Sequence, residues 1–263
     1  MPNCQFSANV GEYIPTNSNY HLHCHDAYEI YMFLEGDSKY VVEEKNYQLA
    51  PDDIIIIRKN EMHRVWHNSN KKYRRLTITV FPAFFKQNLC GEYENVFLKE
   101  SNSGNKINAD LVHSSGLYDA VIRFREFTGD LSKFDTPIAR SALIEILYRI
   151  NKISEFEKPD EADKPVTKII NYINNHYTSD ITLDFLCEHF FISKYYLCRT
   201  FKTHTGLSLL KYIKEKRLAR FEELRKEGKR LTEAALLAGF NDYSAFYRTY
   251  VKKYGHSPEK NKL

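Results

Sequence analysis

The sequence predicts an α+β protein of two domains, a β-rich N-terminal half and an all-α C-terminal half. Three observations carry this. Short stretches rich in Ile, Val, Tyr and Phe recur evenly between residues 28 and 81, the apolar period changes to a helical one near residue 114, and charge is divided unevenly. Residues 1–163 carry 19 Lys and Arg against 24 Asp and Glu, a net of −5, whereas residues 164–263 carry 19 against 10, a net of +9. The whole-chain charge of +4 hides that split. A half so basic suits a polyanion, with binding that weakens as salt rises.

Strands are expected at 28–34, 39–43, 47–50, 54–57, 63–67 and 73–81, separated by turn signals at Glu35-Gly36-Asp37, Lys45-Asn46 and Pro51-Asp52-Asp53. Many short strands at even spacing indicate a small barrel or sandwich. Residues 116–128 and 137–153 then read as amphipathic helices. The first carries Leu117, Val121, Phe124 and Phe127 on its apolar side, and the second carries a stripe of Ala139, Ala142, Leu143, Ile146, Leu147, Ile150 and Ile153. That stripe must be covered by the chain itself or by a second copy, and a homodimer through residues 137–153 is expected. Residues 154–165 are acidic, proline-bearing and aperiodic, which marks a linker. The expected organisation is a barrel at 1–112, a helical dimerisation segment at 113–153, a linker at 154–165 and a helical domain at 166–263.

The helical domain repeats a unit. Leu197, Arg199, Phe201 and Gly206 recur as Phe246, Arg248, Tyr250 and Gly255, each pair 49 residues apart. Each copy follows a compact apolar helix, 183–189 or 231–238, across a short connection, in the order helix-turn-helix. Thr182 is placed to cap the first of these helices, and Gly206, Gly228, Gly239 and Gly255 each fall just past a helical pattern. A helix at 166–177 precedes the first copy. Between the copies, residues 208–227 form a helix of about 20 residues that spans ~30 Å, close to one turn of B-DNA. Two recognition helices so spaced can enter successive major grooves.

The N terminus has no charged region followed by an apolar stretch, and no apolar run approaches the ~20 residues that span a bilayer. A soluble cytoplasmic protein without a membrane partner is expected. The five cysteines, Cys4, Cys24, Cys90, Cys187 and Cys198, lack C-x-x-C spacing and suggest neither a disulfide framework nor a structural zinc.

Ile181, Thr182, Leu183, Leu186, Ile192, Ser193, Tyr196, Leu197, Arg199, Phe201, Lys202 and Gly206 in the first copy, with Ala235, Gly239, Phe240, Asp242, Ser244, Phe246, Arg248, Gly255 and Pro258 in the second, resemble the DNA-binding domain of AraC/XylS-type bacterial transcriptional regulators. The resemblance covers roughly residues 166–260. Departures are Phe191 at a turn, Cys187 for an alanine, Val251 for a lysine and Asn261-Lys262 for a terminal Tyr-Arg. It implies a promoter-binding regulator with double-stranded DNA as its partner; whether it is an activator, with RNA polymerase as a further partner, or a repressor is left open by the residues. Tyr195, Cys198 and Arg199 of the first recognition helix, and Tyr243, Ser244, Tyr247 and Arg248 of the second, are the expected base readers. Arginine suits guanine in bidentate fashion, and tyrosine offers a hydroxyl and a flat apolar face. Lys194, Lys202 and Lys252 are expected on phosphates.

In the N-terminal half, His23, His25, Glu29 and Tyr31 share one parity and would project from one face of an extended strand. With His63 they resemble the two motifs of cupin barrels, and Asn60 and Asp52 depart from the glycines usual there. Imidazole and carboxylate suit a divalent metal, so a metal-dependent cupin enzyme with an attached helical module is the alternative function. Sensor domains of AraC-type regulators keep such a remnant without metal. The expectation is therefore no catalysis, no cofactor and no bound metal, His23, His25, Glu29 and His63 being the ligands if there were one. Instead His23, His25, Glu29, Tyr31 and His63 would line a small-molecule effector site. Tyr31, Phe33, Tyr40 and Trp66 offer aromatic faces to an effector, and a sugar is what the resemblance favours.

Overall fold

A computed structural model describes residues 5–16, 22–43, 45–98, 104–129, 135–153 and 165–260. They fall into two compact units, one drawn from residues 5–16 and 27–153, the other from 22–26 and 165–260. The linker expected at 154–165 lies, except for Pro165, outside the described residues, as do Asn261 and Lys262. No described helix is long and apolar enough to cross a membrane.

Among the described residues the first unit holds eight strands: β1 (Phe6–Tyr13), β2 (Tyr28–Glu35), β3 (Ser38–Val42), β4 (Lys45–Gln48), β5 (Ile54–Ile57), β6 (His63–His67), β7 (Tyr73–Val80) and β8 (Lys106–Ile107). They form two sheets, β1-β7-β2-β5-β8 and β4-β3-β6, with every pairing antiparallel. Strands β3 to β6 lie where the sequence put them, to within two residues. The expected barrel is not closed: β1 and β8 are edges of the larger sheet, and neither pairs with the smaller sheet.

Strands β2 and β5 of the larger sheet are buried on both faces, which explains their unalternating apolar runs. Tyr28, Ile30, Met32, Ile54 and Ile56 face one core, and Tyr31, Phe33, Ile55 and Ile57 face another shared with Tyr40, Val42, Tyr47 and Val65 of the smaller sheet. The helices α1 (Pro82–Gln87), α2 (Asn95–Leu98), α3 (Ala109–Ser114), α4 (Leu117–Phe124) and α5 (Asp135–Lys152) cover the first of these cores.

The stripe on α5 is therefore core. Ala139, Leu143, Ile146, Leu147 and Ile150 are fully buried within this unit, with Leu117, Val121 and Phe124 of α4 in the same cluster. The expectation that the stripe meets a second copy is corrected, because the chain's own sheet and α4 already exclude water from it. Of its large apolar side chains, α5 leaves Ile138 and Tyr148 exposed.

The second unit consists of α6 (Pro165–His176), α7 (Leu183–Phe190), α8 (Lys194–Thr205), α9 (Leu209–Lys226), α10 (Leu231–Leu237) and α11 (Tyr243–Tyr254). Of these, α6, α7, α9 and α10 agree with the ranges read from the sequence to within one residue at each end, and α8 and α11 carry the two repeated segments. Thr182 caps α7, accepting from the Phe185 N–H at 3.1 Å. The second helix-turn-helix packs Phe221 and Leu224 of α9 with Ala234, Ala235, Phe240, Phe246 and Tyr250 in one core. In the first, Phe201 meets Tyr212 edge to face at 5.3 Å, and the Tyr212 hydroxyl donates to Asn174 Oδ1 at 3.0 Å.

Candidate nucleic-acid interface and effector site

The outward face of each recognition helix is set by where the helix starts. Ser193 Oγ accepts from the Tyr196 N–H at 3.2 Å and starts α8, and Asp242 Oδ1 accepts from the Ala245 N–H at 2.7 Å and starts α11. Caps of this kind contribute about 1 kcal/mol each. On α8 the buried side is Leu197, Phe201 and Thr205, which leaves Tyr195, Cys198, Arg199 and Lys202 outward at intervals of three, four and seven residues. Tyr195 is 73% exposed, and Arg199 donates to its hydroxyl at 3.4 Å, so ring and guanidinium form one neighbouring pair. Lys194 is paired with Asp184 at 3.0 Å; both are exposed, and solvent screening makes such a pair weak enough to give way to a phosphate.

On α11 the buried side is Phe246 and Tyr250, and Ser244, Tyr247, Arg248 and Lys252 stand outward. Tyr243 differs from the other expected readers. It is half-buried and its hydroxyl donates to Glu259 Oε1 at 3.1 Å; burial first, and this bond second, push its pKa up to about 12. A base reaching Tyr243 must compete with Glu259.

Of the residues expected in the effector site, Glu29, Tyr31 and His63 are buried in the sheet unit. Tyr31 and Tyr73 share a hydrogen bond of 2.7 Å between their hydroxyls, and the Tyr40 hydroxyl donates to Glu29 Oε1 at 3.4 Å. Tyr40 also lies parallel to the His63 ring at 6.3 Å. Burial holds the pKa of Tyr31 and of Tyr40 well above the usual phenol range, and both hydroxyls stay neutral. His63 Nδ1 lies 2.8 Å from the Glu61 carbonyl oxygen, which can only accept, so Nδ1 carries the proton.

Sequence reasoning missed Tyr73 and Arg75. Burial opposes the charge on Arg75, but Tyr73, Tyr13, Tyr31 and Glu29 around it favour the charged form, and its pKa is raised. The signal was available in the parity of β7, which puts Tyr73, Arg75 and Thr77 on the face of Tyr31 through the pairing Tyr31↔Thr77. Trp66 does not join them: it is 48% exposed, with Arg64 4.9 Å from its ring centre.

The shared parity of His23, His25 and Glu29 is corrected as well. A bend at Asp26 and Ala27 precedes β2, which starts only at Tyr28, so alternation does not run through the segment. His23 is exposed and His25 half-buried, their rings are 6.1 Å apart, and their segment groups with the helical unit.

Comparison with known proteins identifies both halves. A family described as a helix-turn-helix domain matches residues 186–262, and one described as an AraC-like ligand binding domain matches residues 10–100. The transcriptional activator RhaS of Citrobacter koseri is 24% identical over 242 residues, covering 90% of this chain and 85% of that protein. RhaS of Shigella flexneri is 21% identical over 264 residues, covering 98% and 92%. Among solved structures, ToxT from Vibrio cholerae is 14% identical, covers 97% of this chain and 97% of its own, and has a TM-score of 0.42.

Proposed function

This chain belongs to the AraC-type transcriptional regulators, with a ligand-binding domain and a helix-turn-helix domain, and from that premise we propose how its residues divide the work. Arg199 with Tyr195, and Arg248 with Tyr247 and Ser244, read base edges in two successive major grooves. Lys194, Lys202 and Lys252 hold phosphates and fix the register. The observation that carries this reading is the pair of capped helices, each burying one side and turning an arginine and a tyrosine outward, in a half of net charge +9. The RhaS relatives are named activators, and activation through contact with RNA polymerase in the cytoplasm is the role proposed here.

The ligand-binding domain takes a small polar effector between its two sheets. Glu29, Arg75, Tyr31, Tyr40, Tyr73 and His63 offer acceptors, donors and flat apolar faces together, the mixture that suits a sugar. Homodimerisation through the outer side of α5, around Ile138 and Tyr148, would place two DNA-binding domains on paired half-sites and raise their effective concentration.

A panel of monosaccharides screened by thermal shift against the full chain tests the effector reading. At least one sugar should raise the melting temperature of wild type and not of Glu29→Gln or Arg75→Met. A shift unchanged by both substitutions would move the effector site elsewhere.

A further inference from the structure

The helix α9 joins the two helix-turn-helix modules, and the sequence gives it only the role of a spacer. In the structure it forms one wall of a cleft of about 920 Å³ in the helical unit, with α11 opposite. Lys211 and Lys214 project into the cleft from α9, Arg248 and Lys252 from α11, and none of the four has an ion-pair partner among the described residues. Four uncommitted cations facing one groove repel each other unless an anion lies between them.

The acids of the same walls do not supply that anion. Glu215 is paired with Lys253 at 2.6 Å, and Asp242 is committed to capping α11. Asp180 alone is left against the four, and it lies near Arg217, which itself donates to the carbonyls of Tyr177 and Ser179. The cleft is therefore a basic groove whose carboxylates are largely spent.

We propose that Lys211 and Lys214 of α9, with Lys252 of α11, form a clamp for the phosphodiester backbone of duplex DNA between the two recognised major grooves. The chemistry it recognises is a row of phosphates, not a base and not a single compact anion. The cations lie along two helices instead of converging on a point; Lys211 and Lys214 are three residues and about 4.5 Å apart along the axis. Successive phosphates of one strand follow every ~3.4 Å of duplex, so a linear array matches a strand. The wall is continuous with α11, whose Arg248 is a proposed base reader, so a strand leaving that groove passes over the cleft. This inference rests on the DNA-reading role proposed above.

The test uses the full chain, a 30-base-pair duplex selected from a random pool by the wild type, and a scrambled duplex of the same composition. Affinity is measured by fluorescence anisotropy across a salt series. Lys211→Gln with Lys214→Gln should lower the slope of log affinity against log salt by about 2 on both duplexes, leaving the preference between them unchanged. Lys211→Arg with Lys214→Arg should restore the slope. Methylphosphonates placed between the two recognised blocks should weaken wild type and leave the glutamine pair unaffected, whereas inorganic phosphate at the same ionic strength should not compete.

A slope unchanged in the glutamine pair, alongside an Arg199→Ala variant that loses sequence preference, would overturn the clamp and leave the reading role standing. Competition by inorganic phosphate, with no effect of the methylphosphonates, would assign the cleft to a free anion and equally overturn it. A wild type that binds both duplexes alike would overturn the reading role, and the clamp with it.

Discussion

The two helix-turn-helix modules use the same spacing but solve the turn before the recognition helix differently. In the first, Phe191 ends α7 in the left-handed region at φ 54° and is 95% exposed. In the second, the left-handed position is Gly239 at φ 96°, and a Cβ there would stand 2.6 Å from the Thr178 carbonyl oxygen. One turn is open and carries a side chain that gains nothing from burial; the other is pressed against the loop after α6. The same contrast continues into the recognition helices, since Tyr195 is free to meet a base while Tyr243 is held by Glu259. The first module presents the more exposed recognition helix, the second the more firmly packed one.

Substitutions at the two turns should have opposite effects. Gly239→Ala meets both the left-handed penalty and the Thr178 backbone, and should destabilise the helical unit by about 2 kcal/mol or more in chemical denaturation. Phe191→Gly should stabilise it, by about 0.5–1 kcal/mol, because only the backbone penalty is relieved. If both changes had the same sign, the two turns would not differ as described.

Next in size are the arginines. Arg199→Ala and Arg248→Ala should each cost about 1–3 kcal/mol on the selected duplex and relax preference at one position, whereas Lys202→Ala should weaken selected and scrambled duplexes alike. Equal losses on both duplexes for the arginines would remove their reading role.

The smallest effect is expected at Tyr243. Its folded pKa is raised, so the Glu259 bond contributes fully below the ordinary tyrosine value of ~10 and is lost as pH rises through about 12. Denaturation of the full chain should show a loss of stability across that window that is smaller in Tyr243→Phe, the other buried tyrosines still contributing. At the opposite end of the scale, Arg123 and then Arg149 hold the Glu145 carboxylate below its usual range, and their contribution should fade only as pH drops below ~4.5.

The helical domain was the more legible half. Its helices bury one side each, so a 3.6-residue period, Ser193 and Asp242 as caps and Gly206 and Gly255 as stops define them without tertiary information. The sheet unit was less so. β1 is a half-buried edge strand bounded by weak turn signals, and β8 is two residues long, too short for any period to register. His23 and His25 obeyed alternation with Glu29 on paper, but the bend at Asp26 and Ala27 leaves no mark that composition reveals. The stripe on α5 showed that it would be buried and could not show by what. Lys211 and Lys214 carry no sequence signal beyond a polar side of the helix between the copies; only the fold sets them in one cleft with α11.

Both modules are proposed to read sequence. Binding sites selected from a random pool by the full chain, and again by Arg199→Ala and Arg248→Ala, test it directly. Wild type should select two conserved blocks centred about 10 base pairs apart, and each substitution should blur one block and spare the other. A single conserved block in the wild-type selection, or both substitutions degrading the same block, would contradict it.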